Sequence, residues 1–219
     1  MEYHGDFSYL YRMVQEKMER SGSCHDFDHV CRVMHNAEKL LESYPQANRE
    51  IVMLSALLHD IARPEEEASR GRLCHAVAGA KMVPDFLLKS GFPQELIPPV
   101  AEAVKTHRFR GKHEPQTLEA DLIFDADKLD SLGAAGIGRA FLFAGRENAR
   151  LHNTAAEALA AEAYSKEDTA YREYLVKLRY LPRKMRSEAG RKMAVERAAF
   201  MADFFERLDK ETKLGDFSL

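Results

Sequence analysis

The sequence predicts an all-α protein. Apolar residues recur at three- and four-residue spacing along nearly the whole chain, the stretches they mark are closed by Gly or Pro, and no run alternates like a strand. Phe7, Leu10, Tyr11 and Val14 open a first amphipathic helix ending near Ser21-Gly22. Phe27, Val30, Val33, Met34, Ala37, Leu40 and Leu41 mark a second, with Asp26 or Asp28 as N-cap and Pro45 as its stop. Ile51, Leu54, Leu57 and Leu58 mark a third, central and buried, which must end near Ala62 because Pro64 disfavours helical geometry at Arg63. The charged residues 63–71 read as an exposed loop. A fourth helix is expected over 73–90, kinked or broken at Pro84, and a fifth from Pro98-Pro99 through His107. After a loop at 111–116 come a sixth over 118–132, a glycine-rich break at 133–136 and a seventh over 138–145. A polar, mobile loop at 146–154 then leads to two long helices, 155–180 and 187–211, divided at Leu181-Pro182.

With 219 residues, 45% hydrophobic and 31% charged, the chain can bury a sizeable core. Its 35 acidic and 32 basic residues nearly cancel, so nothing in the charge balance demands a nucleic-acid or membrane partner. Cys24, Cys31 and Cys74 form no CxxC pair and their number is odd, which argues against a zinc knuckle or a disulfide framework and fits a reducing, cytoplasmic setting. The start of the sequence lacks a basic-then-apolar signal pattern, and its most apolar window, 51–62, is too short to span a bilayer and contains His59 and Asp60.

His59 and Asp60 close the most apolar helical stretch of the chain, where unpaired polar groups are expensive. Hydrogen bonding or exposure on a frayed turn would account for an isolated pair; a divalent metal would account for it too, since imidazole nitrogen and carboxylate oxygen both suit a borderline ion. Two other places favour the metal. His29 lies near the start of the second helix, and Asp125, Asp127, Lys128 and Asp130 interrupt the buried stripe of Leu122, Ile123, Ala126, Leu129 and Leu132. His75 and His107, at the start and end of helices, would as lone residues be ordinary polar positions.

Four segments taken in order, His25-Asp26-Phe27-Asp28-His29-Val30-Cys31-Arg32-Val33, Ala56 to Ile61, Thr106-His107-Arg108-Phe109 and Asp125 to Asp130, resemble the motifs of the HD-domain superfamily of metal-dependent phosphohydrolases. They are most similar to its compact bacterial members, and the residues around Gly190 to Met201 share the likeness. The resemblance implies a single HD-domain helical bundle over 1–219, with a metal-binding core at about 22–145 and a C-terminal helical extension at about 150–211. It implies His29, His59, Asp60 and Asp127 as metal ligands, with His25, Asp125 and Asp130 as hydrogen-bond partners that orient them. His25-Asp26 is a second His-Asp pair, but it precedes a helix, where capping is the plainer role for Asp26.

The implied activity is metal-dependent phosphohydrolysis of nucleotides by metal-activated water, with cleavage of (deoxy)nucleoside triphosphates to monophosphate and pyrophosphate as the leading specific reading. His75 and His107 would then contact phosphate or transfer a proton, Lys128 would add an ammonium near the same phosphate, and Arg108 and Arg110 would line the entrance or lie in solvent. One divalent ion is implied, manganese first, with iron, cobalt, nickel, zinc or magnesium compatible. The partner implied is a phosphorylated small molecule, and the sequence leaves the oligomeric state open, a homodimer included. Two alternatives stay open: a bimetallic HD phosphodiesterase or di-iron oxygenase in which His75 and His107 bind a second ion, and a non-catalytic nucleotide- or metal-binding regulatory module.

Overall fold

Polar caps decide where the helices begin. In the computed structural model, which describes residues 3–19, 26–108 and 113–212, Asp6 accepts the Tyr9 amide at the head of α1 (Phe7–Met18) and Asp26 accepts the His29 amide at the head of α2 (Phe27–Leu41). Asn48 accepts the amides of Glu50 and Ile51 to start α3 (Arg49–Leu58). There follow α4 (Arg63–Ala68), α5 (His75–Lys89), a 3-10 turn (Gln94–Leu96), α6 (Ile97–Thr106) and α7 (Leu118–Leu129). The rest is α8 (Gly133–Arg146), α9 (Ala155–Ala160), α10 (Ala170–Val176), a second 3-10 stretch (Leu178–Lys184) and the long α11 (Glu188–Thr212). The protein is all-α, with no strand among the described residues. Among the described residues, no helix is long and apolar enough to cross a membrane.

The chain divides into two compact units, Met1–Asp127 and Lys128–Leu219. In the first, α5 packs along α6, and α3 lies against both α2 and α6. Its core joins Leu10, Val14 and Met18 of α1 to Leu54, Leu57 and Leu58 of α3, Val83, Phe86 and Leu87 of α5, and Val100 and Val104 of α6. Hydrogen bonds near both ends of α7 fasten it to α2 and to the head of α3. Asn36 of α2 donates to the Ala126 carbonyl (3.0 Å), and the Asn48 amide donates to Glu119 (2.9 Å). In the second unit, α11 packs on α8 and on the second 3-10 stretch. The fully buried Phe205 of α11 stacks on Tyr174 of α10 at 4.6 Å between centroids.

The elements differ from the sequence reading in four places. Residues 63–68 form a helix, not an exposed loop. Pro64 stands in its first turn, where its missing N–H is harmless, and Glu65 and Glu66 follow at the positive end of the helix dipole. Of the kink or break expected at Pro84, the break does not occur: α5 runs through from His75 to Lys89, with Val83, Phe86 and Leu87 on either side buried in the same core. The glycine segment is not the break either: the interruption falls at Asp130–Leu132, and α8 starts at Gly133, whose φ is +70°. A Cβ on Gly136 would sit 2.3 Å from the Ser131 carbonyl oxygen, so close approach is also served there. Finally, 155–180 is no single helix. Thr154 and Thr169 each cap a separate short one, and between them Tyr164 takes φ +62° while its amide donates to Asp168 (2.7 Å).

Candidate metal centre

Three helices bring the first group of side chains together. The Asp26 cap holds the backbone of His29 in the first turn of α2. His59 and Asp60 stand in the turn that ends α3, and Asp127 lies on α7. His29 and His59 are fully buried and Asp60 is 1% exposed. The Nε2 atoms of His29 and His59 are 3.2 Å apart, and His29 Nε2 is 3.5 Å from Asp127 Oδ1. Asp60 Oδ2 lies 3.6 Å from His29 Nε2 and 3.7 Å from His59 Nε2. Donors that each sit about 2.1 Å from one ion stand roughly 3.0–3.4 Å from each other. The mixed imidazole and carboxylate set therefore fits a divalent cation in both chemistry and spacing.

A second group adjoins the first through Asp60. His75 is the first residue of α5 and His107 the residue that ends α6. Packing of α5 on α6 joins them, helped by Gly79, where an added Cβ would come 3.3 Å from Ile61 and 3.4 Å from Val104. Their Nε2 atoms are 3.2 Å apart, and lie 3.3 Å (His75) and 3.4 Å (His107) from Asp60 Oδ1. The ligand atoms of His29, His59 and Asp127 all lie within 4.8 Å of one another, and the same holds for Asp60, His75 and His107. Asp60 thus turns one oxygen toward each trio.

The hydrogen bonds around the rings decide which nitrogen faces inward. His59 Nδ1 is 2.8 Å from the Ala56 carbonyl and His107 Nδ1 is 2.6 Å from the Val104 carbonyl. A carbonyl only accepts, so both rings donate from Nδ1 and direct Nε2 into the site. Nitrogen lone pairs facing each other beside a carboxylate attract a cation, whether a proton or a metal ion. Burial lowers the pKa of His59 and of His107, favouring the neutral, metal-binding form. Burial acts to raise that of Asp60, but the Arg63 guanidinium and the surrounding histidines outweigh it and hold the carboxyl well below the usual range.

Other site candidates are placed as follows. Asp125 is fully buried, Asp130 is buried and accepts from Arg139 (2.8 Å), and Lys128 is buried at the start of the second unit. His25 and Arg110 lie outside the described residues. Arg108 is partly exposed, with Nη1 3.2 Å from Glu66 Oε1 and 3.2 Å from Cys74 Sγ. Two residues of α4 that the sequence reading placed in a loop belong to the site. Arg63 donates to Asp60 Oδ2 (2.9 Å) and to Glu66 Oε2 (2.7 Å), and Glu66 Oε2 is 2.8 Å from His75 Nδ1. Burial works to raise the Glu66 pKa, yet His75 and the two arginines hold it at about 2. The run Arg63-Pro64-Glu65-Glu66 is a helix-start signature, and that signal would have found them.

This arrangement has a known family. The model of the HD domain matches residues 26–132, which span both trios. The chain belongs to the HD-domain phosphohydrolase superfamily. Within it, the chain is 32% identical over 202 residues to the uncharacterised protein YpgQ of Bacillus subtilis, covering 90% of this chain and 89% of that one. The crystal structure of B. subtilis YpgQ in complex with ADP is similar at a TM-score of 0.71 and 27% identity, covering 94% of this chain and 95% of that one. An HD-superfamily hydrolase from Bacillus thuringiensis is similar at a TM-score of 0.72 and 27% identity, covering 95% and 97%.

Proposed function

We propose that the protein is a metal-dependent phosphohydrolase acting on nucleotides, with nucleoside triphosphates cleaved to monophosphate and pyrophosphate as its leading reaction. The observation that carries this reading is the convergence of His29, His59, Asp60 and Asp127, three of them buried, at the spacing of donors around one cation. The complex of B. subtilis YpgQ with ADP supports a nucleotide as the ligand.

His29, His59, Asp60 and Asp127 would hold a divalent ion, manganese as the first choice. Such an ion supplies Lewis acidity toward a phosphate oxygen and makes water acidic enough to act as a nucleophile near neutral pH. The chain's own groups do the rest. The Ala56 carbonyl orients His59, and Arg63 holds Asp60 ionised and in place. His75 and His107 each present a bare Nε2 to the site. There they would take up a proton released from the attacking water, contact the substrate phosphate and pass that proton to the departing oxygen, work that suits an imidazole. Positioning and electrostatics supply most of the acceleration in phosphoryl transfer, and buried, pre-oriented side chains suit that work.

One observation favours a second reading. His75 and His107 share Asp60 Oδ1 at 3.3 and 3.4 Å and could themselves hold an ion, which would make the site bimetallic. Counting ions per chain in manganese-loaded protein separates the two. With one site, His75→Ala lowers turnover more than metal content; with two, it lowers both. The function itself is tested by presenting metal-loaded protein with a panel of nucleotides and resolving released phosphate from pyrophosphate. Nucleotide-induced stabilisation with neither product released would overturn hydrolysis in favour of a binding module.

A further inference from the structure

The four inward-facing histidines are not oriented in the same way. His59 and His107 stand at the C-terminal ends of helices, so a carbonyl three residues earlier on their own helix accepts the Nδ1 proton. His75 is the first residue of α5 and has no preceding helical turn to offer one. Its Nδ1 meets the carboxylate of Glu66, nine residues upstream on α4. An ionised carboxylate accepts only, and of the two that face the ring Glu66 is the nearer, 2.8 Å from Nδ1 against 3.3 Å from Nε2 to Asp60 Oδ1. The geometry thus favours the proton on Nδ1, with Nε2 presented to Asp60 and His107. Glu66 is itself held. Arg63 bonds Oε2 and also grips Asp60, while Arg108 lies against Oε1.

We infer that Glu66 is the positioning residue that selects the tautomer of His75, doing through a side chain what backbone carbonyls do for His59 and His107. Arg63 couples this selection to the site, because one guanidinium fixes both the carboxylate that orients His75 and the carboxylate that His75 faces. The α4 helix is thereby part of the working site. The tautomer assignment stands on the geometry alone; its consequence for turnover rests on the hydrolase reading above.

The test reads each ring's tautomer by long-range proton–nitrogen correlation in metal-free protein carrying 15N-histidine, at about pH 8 where imidazoles are neutral, with His75 assigned from the His75→Gln spectrum. Wild-type His75 is expected as the Nδ1–H form. Glu66→Gln, whose amide oxygen still accepts, is expected to keep that form. Glu66→Ala is expected to move His75 toward the Nε2–H form while leaving His59 and His107 unchanged. A wild-type His75 protonated on Nε2 overturns the inference without any variant having to fold, and so does a Glu66→Ala protein whose His75 is unaltered. In the turnover assay, Glu66→Ala is expected to lower the rate about 10–100-fold, with Glu66→Gln recovering much of the loss. If the tautomers follow Glu66 but wild-type protein hydrolyses no nucleotide, the positioning role stands and the hydrolase reading falls.

Discussion

The two units bury polar side chains in opposite ways. In the second unit the knot around Asn153 and Thr169 matches donor to acceptor throughout. Asn153 donates to the Glu167 carbonyl (3.0 Å), Thr169 donates to Asn153 Oδ1 (2.8 Å) and accepts the Arg172 amide (3.1 Å), and Asp168 takes the Tyr164 amide and the Arg172 guanidinium. In the first unit the buried groups set acceptor against acceptor: imidazole nitrogens 3.2 Å apart, with a carboxylate oxygen beside each pair. The first pattern completes a fold; the second has the composition and spacing that a cation would complete. Buried polarity therefore marks function only where the partners are of one electrostatic kind.

The largest expected break in this contrast is Asp60→Ala, which removes the carboxylate that faces both pairs of histidines. Metal binding and hydrolysis should fall to background while the far-ultraviolet circular dichroism stays helical. Full activity with wild-type metal occupancy would show that the ligand set is wrong. Removing the metal comes next. An ion at a hundred times its dissociation constant adds about 2.7 kcal/mol to stability, which for a chain of this size is roughly 5–10 °C in melting temperature. A chelator should abolish that shift, and an unchanged melting temperature would count against a cation as the missing partner.

Acidification should sharpen the same comparison in metal-free protein. Burial lowers the pKa of His59 and His107, so an unfolded chain, whose histidines titrate near 6.5, takes up protons that the fold refuses. Stability should then hold above that pH and decline below it, as read by urea midpoints from pH 8 to 5. A flat profile would mean that the rings titrate alike in the folded and unfolded chain, and stability that rises on acidification would mean that the fold holds them charged. The smallest effect is expected in the second unit. Thr169→Val removes a donor to Asn153 and a helix cap, costing about 1–3 kcal/mol, and should leave metal content and turnover per folded molecule unaltered. A parallel loss of metal would tie that knot to the site.

Much of the site was legible because its members announce themselves locally. His59 and Asp60 end the most apolar stretch of the chain, Asp26 caps the helix that carries His29, and Asp127 interrupts a buried stripe. Arg63 and Glu66 were hidden by their own charge. A run containing Arg63, Glu65, Glu66 and Glu67 reads as solvated surface until α4 is seen to turn Glu66 inward. The long helix expected over 155–180 failed for a related reason. Its apolar spacing continues past Ala160, but Thr169 starts a new helix, and the intervening turn is held by Asp168.

By itself, the order of residues determined the helical class, most helix starts, and which polar groups would be trapped among apolar neighbours, because capping and three- to four-residue periodicity act within one or two turns. Only the tertiary structure decided that Asp60 would divide its oxygens between two pairs of histidines, and that His75 would be oriented by Glu66. The nitrogen of His75 meets that of His107 across 32 positions of sequence, and His29 meets His59 across 30. Side-chain pairs that distant are set by how α2, α3, α5 and α6 pack, which no local rule of spacing contains.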